Sequence, residues 1–285
     1  MSQNAQDELQ VSNAKPHPGR SFIRSCPVLA FYLVTFALCW ASFFPILAGA
    51  HGLTVFRSRL WLGGLVVYAA SPALGAWIIS SFATTQESGF YRLRKSFARR
   101  VPWRWWVAAF VCPILLLCAA EILSHWILPN RPHTLQPATG RSLLLTVVIS
   151  IAANPWEEIG WRGFALTRLQ TRMPALQAAL IVGLLTALWH IPLFLWPGSP
   201  MSGFPYFLWA FCAVGTSIVF AWLYNSSGQS LGVTMLAHIT LNIFGAIVGL
   251  RSHAVLAIVM LAAALAIAVL AGPSLNSISA DKAMP

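Results

Sequence analysis

The stretch NPWEEIGWRG, residues 154 to 163, sets two adjacent carboxylates and a guanidinium inside an apolar run of a chain with only seven acidic residues in 285. Asp7, Glu8, Glu87 and Asp281 fall in termini or a loop, where water solvates them, which leaves Glu121, Glu157 and Glu158 within apolar windows. A carboxylate at membrane depth costs at least about 2.5 to 3.5 kcal/mol on insertion scales and marks a functional candidate. Later windows add His190 in TALWHIPLF and His238 with Asn242 in HITLN. His238 and Asn242 stand at i and i+4 and share a helix face; Glu158 and Arg162 have the same spacing, which lets the guanidinium hold a carboxylate. Glu157 points about 100° away from Glu158, so the two acids cannot share partners, and one is free to be structural while the other does chemistry. Glu157 or Glu158 with His190, His238 and Asn242 makes a polar cluster able to handle water. A buried carboxylate beside an imidazole accepts a proton from water, and an imidazole with a side-chain amide donates hydrogen bonds to a developing oxyanion. These are the parts of a hydrolase for an acyl bond.

The elements that must position these groups follow from composition. Hydrophobic residues make up 58% of the chain and charged residues 9%, and the mean hydropathy is +0.70, as expected of a polytopic membrane protein. Windows of roughly 20 apolar residues, enough to cross the hydrocarbon core as a helix, fall at 27–49, 60–83, 105–128, 142–160, 175–196, 204–224, 229–250 and 253–272. The predicted fold is all-α, with about eight transmembrane helices in one membrane domain over 27–272, an N-terminal tail over 1–26 and a short polar, disordered tail over 273–285. The first apolar run exceeds the roughly 7 to 15 residues of a signal-peptide core and reads as a retained span. The five cysteines, Cys26, Cys39, Cys112, Cys118 and Cys212, form no CxxC or spaced pairs and argue against a disulfide framework or a cysteine zinc site.

The net charge of +11 is a matter of topology. With the N-terminus inside and eight spans, Arg57, Arg59, Arg131, Arg141 and Arg251 fall outside, and the other thirteen of the eighteen Lys and Arg residues fall inside. That asymmetry places both termini in the cytoplasm of a multi-pass cell-membrane protein and accounts for the basic charge without a nucleic-acid partner. The segment ESGFYRLRKSFARRVPWRWW, with Trp103, Trp105 and Trp106 at its end, reads as a topology anchor in the anionic inner interface.

Depth can be counted along the chain. If the fourth helix runs on through WRGFALTRLQTR and turns near Pro174, Glu158 lies 16 residues before the turn and His190 lies 16 after it. At about 1.5 Å per residue both stand roughly 24 Å from the turn on antiparallel neighbours. His238, nine residues into a span entering near Gln229 from the same side, is compatible with that layer.

The motifs EEIGWR, TALWHIPLF and HITLN, in this order within apolar spans, resemble the CAAX protease and bacteriocin-processing (Abi) family of intramembrane proteases. The resemblance covers residues 140 to 250. It departs at Thr186, where the second motif is often written with Phe, a position that packs the helix. It implies an eight-helix protease opening to the cytosol and inner leaflet, with Glu157 as general base, His190 as its partner in activating water, and His238 with Asn242 as oxyanion site. Glu158 and Arg162 then shape the site. The implied partners are the lipid bilayer and a membrane peptide or lipidated protein, such as a prenylated or bacteriocin-like substrate. The family is often described as metalloproteases, and Glu157, His190 and His238 have the His₂Glu composition of a catalytic zinc site. The cofactor is therefore none or zinc. With no HExxH helix present, metal-independent glutamate catalysis is favoured, since it uses the same residues and gives Asn242 a task.

Other readings compete. Glu121 and His125, at i and i+4 late in the third span, read as a structural pair. Trp156, Trp161 and Trp189 border the site and read first as packing. A non-catalytic immunity or peptide-binding factor, or a small proton-coupled transporter, is the alternative class; intact function after Glu157→Gln would support binding, and no internal repeat supports transport. Single-cysteine variants across residues 92 to 100 should resist a membrane-impermeant thiol reagent in intact cells and label after permeabilisation. Labelling from outside would overturn the topology.

Overall fold

The computed structural model describes residues 18–82, 96 and 100–276. Most of the basic interfacial segment and most of both tails, including Lys15, Glu87, Arg92, Arg94, Lys95, Arg99 and Lys282, lie outside the described residues. Among the described residues eight helices are long and apolar enough to cross a membrane. They are α1 (Pro27–Ala50), α2 (Gly64–Phe82), α3 (Trp103–Ile127), α4 (Gly140–Glu158), α5 (Ala175–Trp189), α6 (Tyr206–Ser226), α7 (Leu231–Val248) and α8 (His253–Ala271). A helix satisfies its own backbone groups, which is why such apolar sequences cross lipid in this form. The chain is an all-α, multi-pass membrane protein.

The windows and the helices agree closely except at two places that matter. Helix α4 does not stop at Glu158: it widens into a π-helix over Ile159–Leu166 and ends with Thr167–Leu169, a continuous span of 30 residues from Gly140. Helix α5 ends at Trp189, with His190 as its C-cap, and the chain restarts as the short helix Ile191–Leu195, in which Pro192 sits at the start. Both breaks fall beside the ionisable residues singled out above.

Prolines lie inside α1 to α4, at Pro45, Pro72, Pro113 and Pro155. Lacking an N–H, Pro155 leaves the Ile151 carbonyl without its helical donor one turn before the glutamates, a defect that neighbouring helices make tolerable in a membrane protein. At the helix starts, Ser230 and Ser252 cap α7 and α8 by accepting from the amides of Val233 and Val255.

The helices form a closed ring. Each packs on the next in the order α1, α2, α4, α7, α3, α8, α6, α5, and α5 meets α1 and the π segment of α4. That π segment also contacts α1, α2, α6 and α7, so the irregular turn sits at the hub of the ring. Gly160 permits this: a Cβ there would lie 2.5 Å from Cβ of Pro72 and 2.8 Å from its backbone carbonyl. Trp161, Phe164 and Leu166 fill the core around it with Phe31, Tyr32 and Trp189.

Two sequence expectations are corrected. The segment after α8 is not free at its start: Leu275 is fully buried, Leu176 donates its amide to the Pro273 carbonyl, and Asn225 donates its side-chain amide to the Ser274 carbonyl. One buried side chain and two hydrogen bonds hold residues 273–275. Glu121 does not pair with His125, which is exposed. It binds Arg251, whose amide and Nε each donate at 3.1 Å, and His133 at 3.0 Å. This cluster clasps the α3–α4 loop to the α7–α8 connection, alongside the two bonds between Leu135 and Leu250. Partners from distant loops outcompete the i, i+4 neighbour.

Substituting Gly160 by Ala should destabilise the fold by about 1 to 3 kcal/mol through overpacking against Pro72. Gly245→Ala, whose Cβ would meet nothing nearer than 3.9 Å, should leave thermal unfolding in detergent unchanged. Equal melting temperatures for the two variants would contradict the close approach of α4 and α2.

Candidate active site

Helix α4 meets α7 through two polar rungs. Oε1 of Glu158 accepts from Nδ1 of His238 at 2.8 Å and from Nη1 of Arg162 at 3.0 Å. One turn earlier on the same face, Oδ1 of Asn154 accepts from Nδ2 of Asn242 at 3.2 Å. Residues four apart on α4 thus face residues four apart on α7 in reverse order, the pattern of antiparallel helices. His238 lies seven residues into α7, about 11 Å along its axis, so its rung sits in the half of the span nearer the α6–α7 turn and the Asn242 rung just past the middle.

Glu158 is fully buried and Arg162 nearly so. The guanidinium also lies 5.1 Å from the ring centroid of Phe220, an apolar wall that makes the pair a low-dielectric one. Glu157 has different surroundings. It retains 7% exposure and accepts from Nε1 of Trp161 at 3.3 Å. It is an electrostatic neighbour of both His190 and His238. The i, i+4 spacing of Glu157 and Trp161 runs parallel to that of Glu158 and Arg162, so the first turn of the π segment serves each carboxylate separately. Irregular π turns inside helices are frequent at functional sites.

His190 sits where α5 breaks. Its Nδ1 lies 2.9 Å from the Thr186 carbonyl, which can only accept; Nδ1 therefore carries the hydrogen, and in the neutral ring Nε2 is an acceptor. The ring is held between Trp189 and Trp209, with centroids 4.6 and 4.5 Å away. Trp189 is itself fixed by a 2.9 Å bond from Nε1 to Oγ of Ser71 and by stacking on Tyr68 at 4.2 Å. Trp161 and Trp189 are fully buried packing residues, whereas Trp156 is half-exposed. Exposure rises across the cluster from Glu158 through Glu157 to His238, at 16%, and to exposed Asn242. The site opens at its Asn242 side.

Comparison with known proteins follows the same segment. The family described as Type II CAAX prenyl endopeptidase Rce1-like matches residues 139–244, which contain all three motifs. Over that segment the chain resembles the CAAX protease family. It is similar to CAAX prenyl protease 2 of Methanococcus maripaludis, 27% identical over 172 residues. That match covers 57% of this chain and 61% of the relative, so the likeness spans less than two thirds of the archaeal protein.

The structure brings Glu157, Glu158, Arg162, His190 and His238 into one cluster, with Asn242 a turn away on α7. It does not arrange Glu157, His190 and His238 as a zinc site: among the described residues no three His, Cys, Asp or Glu side chains are placed to hold a metal. His238 turns Nδ1 to Glu158, while His190 turns Nδ1 to a backbone carbonyl. Both orientations leave Nε2 open, as a ligating imidazole would also have it, so the placement of the three side chains and not their donors speaks against a His₂Glu centre. Sequence reasoning missed Asn154, although a buried amide one turn before Glu158 on the same face was a signal. It also missed Phe220 and Ser71, which no spacing rule connects to the motifs.

Replacing Arg162 by Met should cost about 3 to 5 kcal/mol, because the buried Glu158 carboxylate loses its permanently charged partner and keeps only His238. The double variant Arg162→Met with Glu158→Gln should recover most of that loss in thermal unfolding. A single variant as stable as the wild type would show that the ion pair does not hold this site.

Proposed function

We propose that this chain is an intramembrane endopeptidase that cleaves peptide bonds of membrane-associated substrates with water activated by Glu157 and His190. The observation that carries the reading is the unequal engagement of the two glutamates. Glu158 is bound by Arg162 and His238 and has no exposure, whereas Glu157 keeps 7% exposure, carries only the Trp161 bond and is near enough to His190 for its charge to act on the ring. A carboxylate committed to an ion pair is a poor proton acceptor; one with an open side and an imidazole acceptor nearby can hold a water between them.

In this reading the water donates one hydrogen bond to Glu157 and one to Nε2 of His190, whose tautomer Thr186 has set. Glu157 takes the proton as the water oxygen attacks the scissile carbonyl carbon, and negative charge develops on the carbonyl oxygen. Asn242 donates to that oxygen through Nδ2. His238 has already directed Nδ1–H to Glu158, so it donates from Nε2 only as an imidazolium, a form that the Glu158 carboxylate stabilises. Collapse breaks the C–N bond, and the proton on Glu157 passes to the departing amine. The second water proton stays on the attacking oxygen and leaves when the new carboxyl group ionises, to Glu157 or to solvent.

The substrate class follows from where the groups lie. Glu157, Glu158 and His238 sit in the halves of their spans nearer the α4–α5 and α6–α7 turns. With the inside excess of basic residues, those halves face the cytoplasm and its leaflet. A peptide tethered to that leaflet, by prenylation or by its own apolar stretch, reaches such a site by lateral diffusion. The archaeal relative's name, CAAX prenyl protease 2, agrees with a lipidated carboxyl-terminal segment.

Purified protein in liposomes should release the terminal peptide from a prenylated test peptide. Glu157→Gln and His190→Ala should each lower turnover by about 10² to 10⁴ while leaving melting temperature and expression near wild type. Normal turnover by these folded variants would overturn the assignment. So would activity lost on chelation and restored by stoichiometric zinc, which would make the same side chains ligands.

A further inference from the structure

The geometry points to Asn154 as a positioning residue that orients the Asn242 carboxamide for the reaction; the inference rests on the peptidase reading of the site. Asn242 is exposed, and an exposed amide is free to rotate and to exchange its oxygen for its nitrogen. A freely rotating amide is a poor oxyanion donor, because preorganisation is what makes such donors effective. Asn154 is 3% exposed, and its Oδ1 accepts one of the two Nδ2 hydrogens of Asn242. The bond selects the flip that puts nitrogen toward α4 and leaves the second N–H of Asn242 for a ligand.

The rung is not what a purely structural contact would look like. Nδ2 of Asn154 is buried without a hydrogen-bond partner, and an unmade buried bond costs about 1 to 3 kcal/mol. Two apolar side chains of similar shape would hold α4 to α7 at least as well. What only the amide supplies is an acceptor fixed in space. The acceptor is rigid because Asn154 stands one turn from Glu158, which is itself tied to the same two helices. Both members of the proposed oxyanion pair are therefore set from α4, His238 by Glu158 and Asn242 by Asn154.

The test substitutes Asn154 by Leu, which has the same branched four-atom skeleton, is bulkier, and cannot accept. In protein carrying ¹⁵N-asparagine in lipid nanodiscs, the side-chain signal of Asn242 is assigned by its loss in Asn242→Ala. In the wild type its relaxation should be that of a fixed group, and in Asn154→Leu that of a mobile one. Turnover of the prenylated peptide should fall about tenfold in kcat, with KM within about twofold. The double variant Asn154→Leu with Asn242→Ala should be no slower than Asn242→Ala alone. An Asn242 signal equally fixed in both proteins, or losses that multiply in the double variant, would each overturn the inference. A wild type that cleaves nothing while the Asn242 signal still responds would sink the peptidase reading and leave the anchoring standing.

Discussion

The Glu158 carboxylate, held between Arg162 and His238 with no access to solvent, is the interaction on which the rest of the arrangement depends. A charge at that depth persists only with a partner, and the partners chosen fix the structure around it. Arg162 must be one turn along the same helix, which commits α4 to continue as a helix beyond the glutamates. His238 must come from α7, which commits α7 to lie antiparallel against α4. The π turn that follows, the bare face of Gly160 against Pro72 and the Phe220 wall over the guanidinium are all ways of closing space around one buried ion pair.

With Glu158 so occupied, its neighbour is available for something else. Adjacent positions on a helix diverge by about 100°, and here that divergence separates environments as well as directions. Glu157 faces Trp161 and the two imidazoles, Glu158 faces Arg162 and α7. The break of α5 at His190 serves the same end: a helix end brings the Thr186 carbonyl to the ring and fixes which nitrogen carries hydrogen. Aromatic packing then holds the ring itself, through Trp189 on Tyr68 and Ser71. The proposed chemistry uses few groups, and most of the surrounding structure serves to limit how those groups can move.

Much of this was legible in the residues. Apolar windows located all eight helices, because lipid allows a spanning chain few alternatives, and i, i+4 spacing found the Glu158–Arg162 pair and the His238–Asn242 face. The depth count assumed that the fourth helix runs on past Glu158 before turning near Pro174, and it does continue to Leu169. What spacing could not give was cross-helix pairing. Asn154 with Asn242, Trp189 with Ser71 and Glu121 with Arg251 and His133 join residues 88, 118, 130 and 12 positions apart, and such pairs depend on which helices become neighbours. Leu275 was missed for a related reason. Composition describes a tail as polar on average, whereas at its start Leu275 is buried and the Pro273 and Ser274 carbonyls accept from Leu176 and Asn225.

The central claim is that the two glutamates divide their work, Glu158 holding α4 to α7 and Glu157 standing free of that task. The most direct measurement is an electron paramagnetic resonance distance between spin labels at Ile151 on α4 and Ile247 on α7, both exposed sites near the rungs. Glu158→Ala should broaden or lengthen the distance distribution, and Glu157→Ala should leave it as in the wild type. A distribution that changes on loss of Glu157 but not of Glu158 would contradict the account.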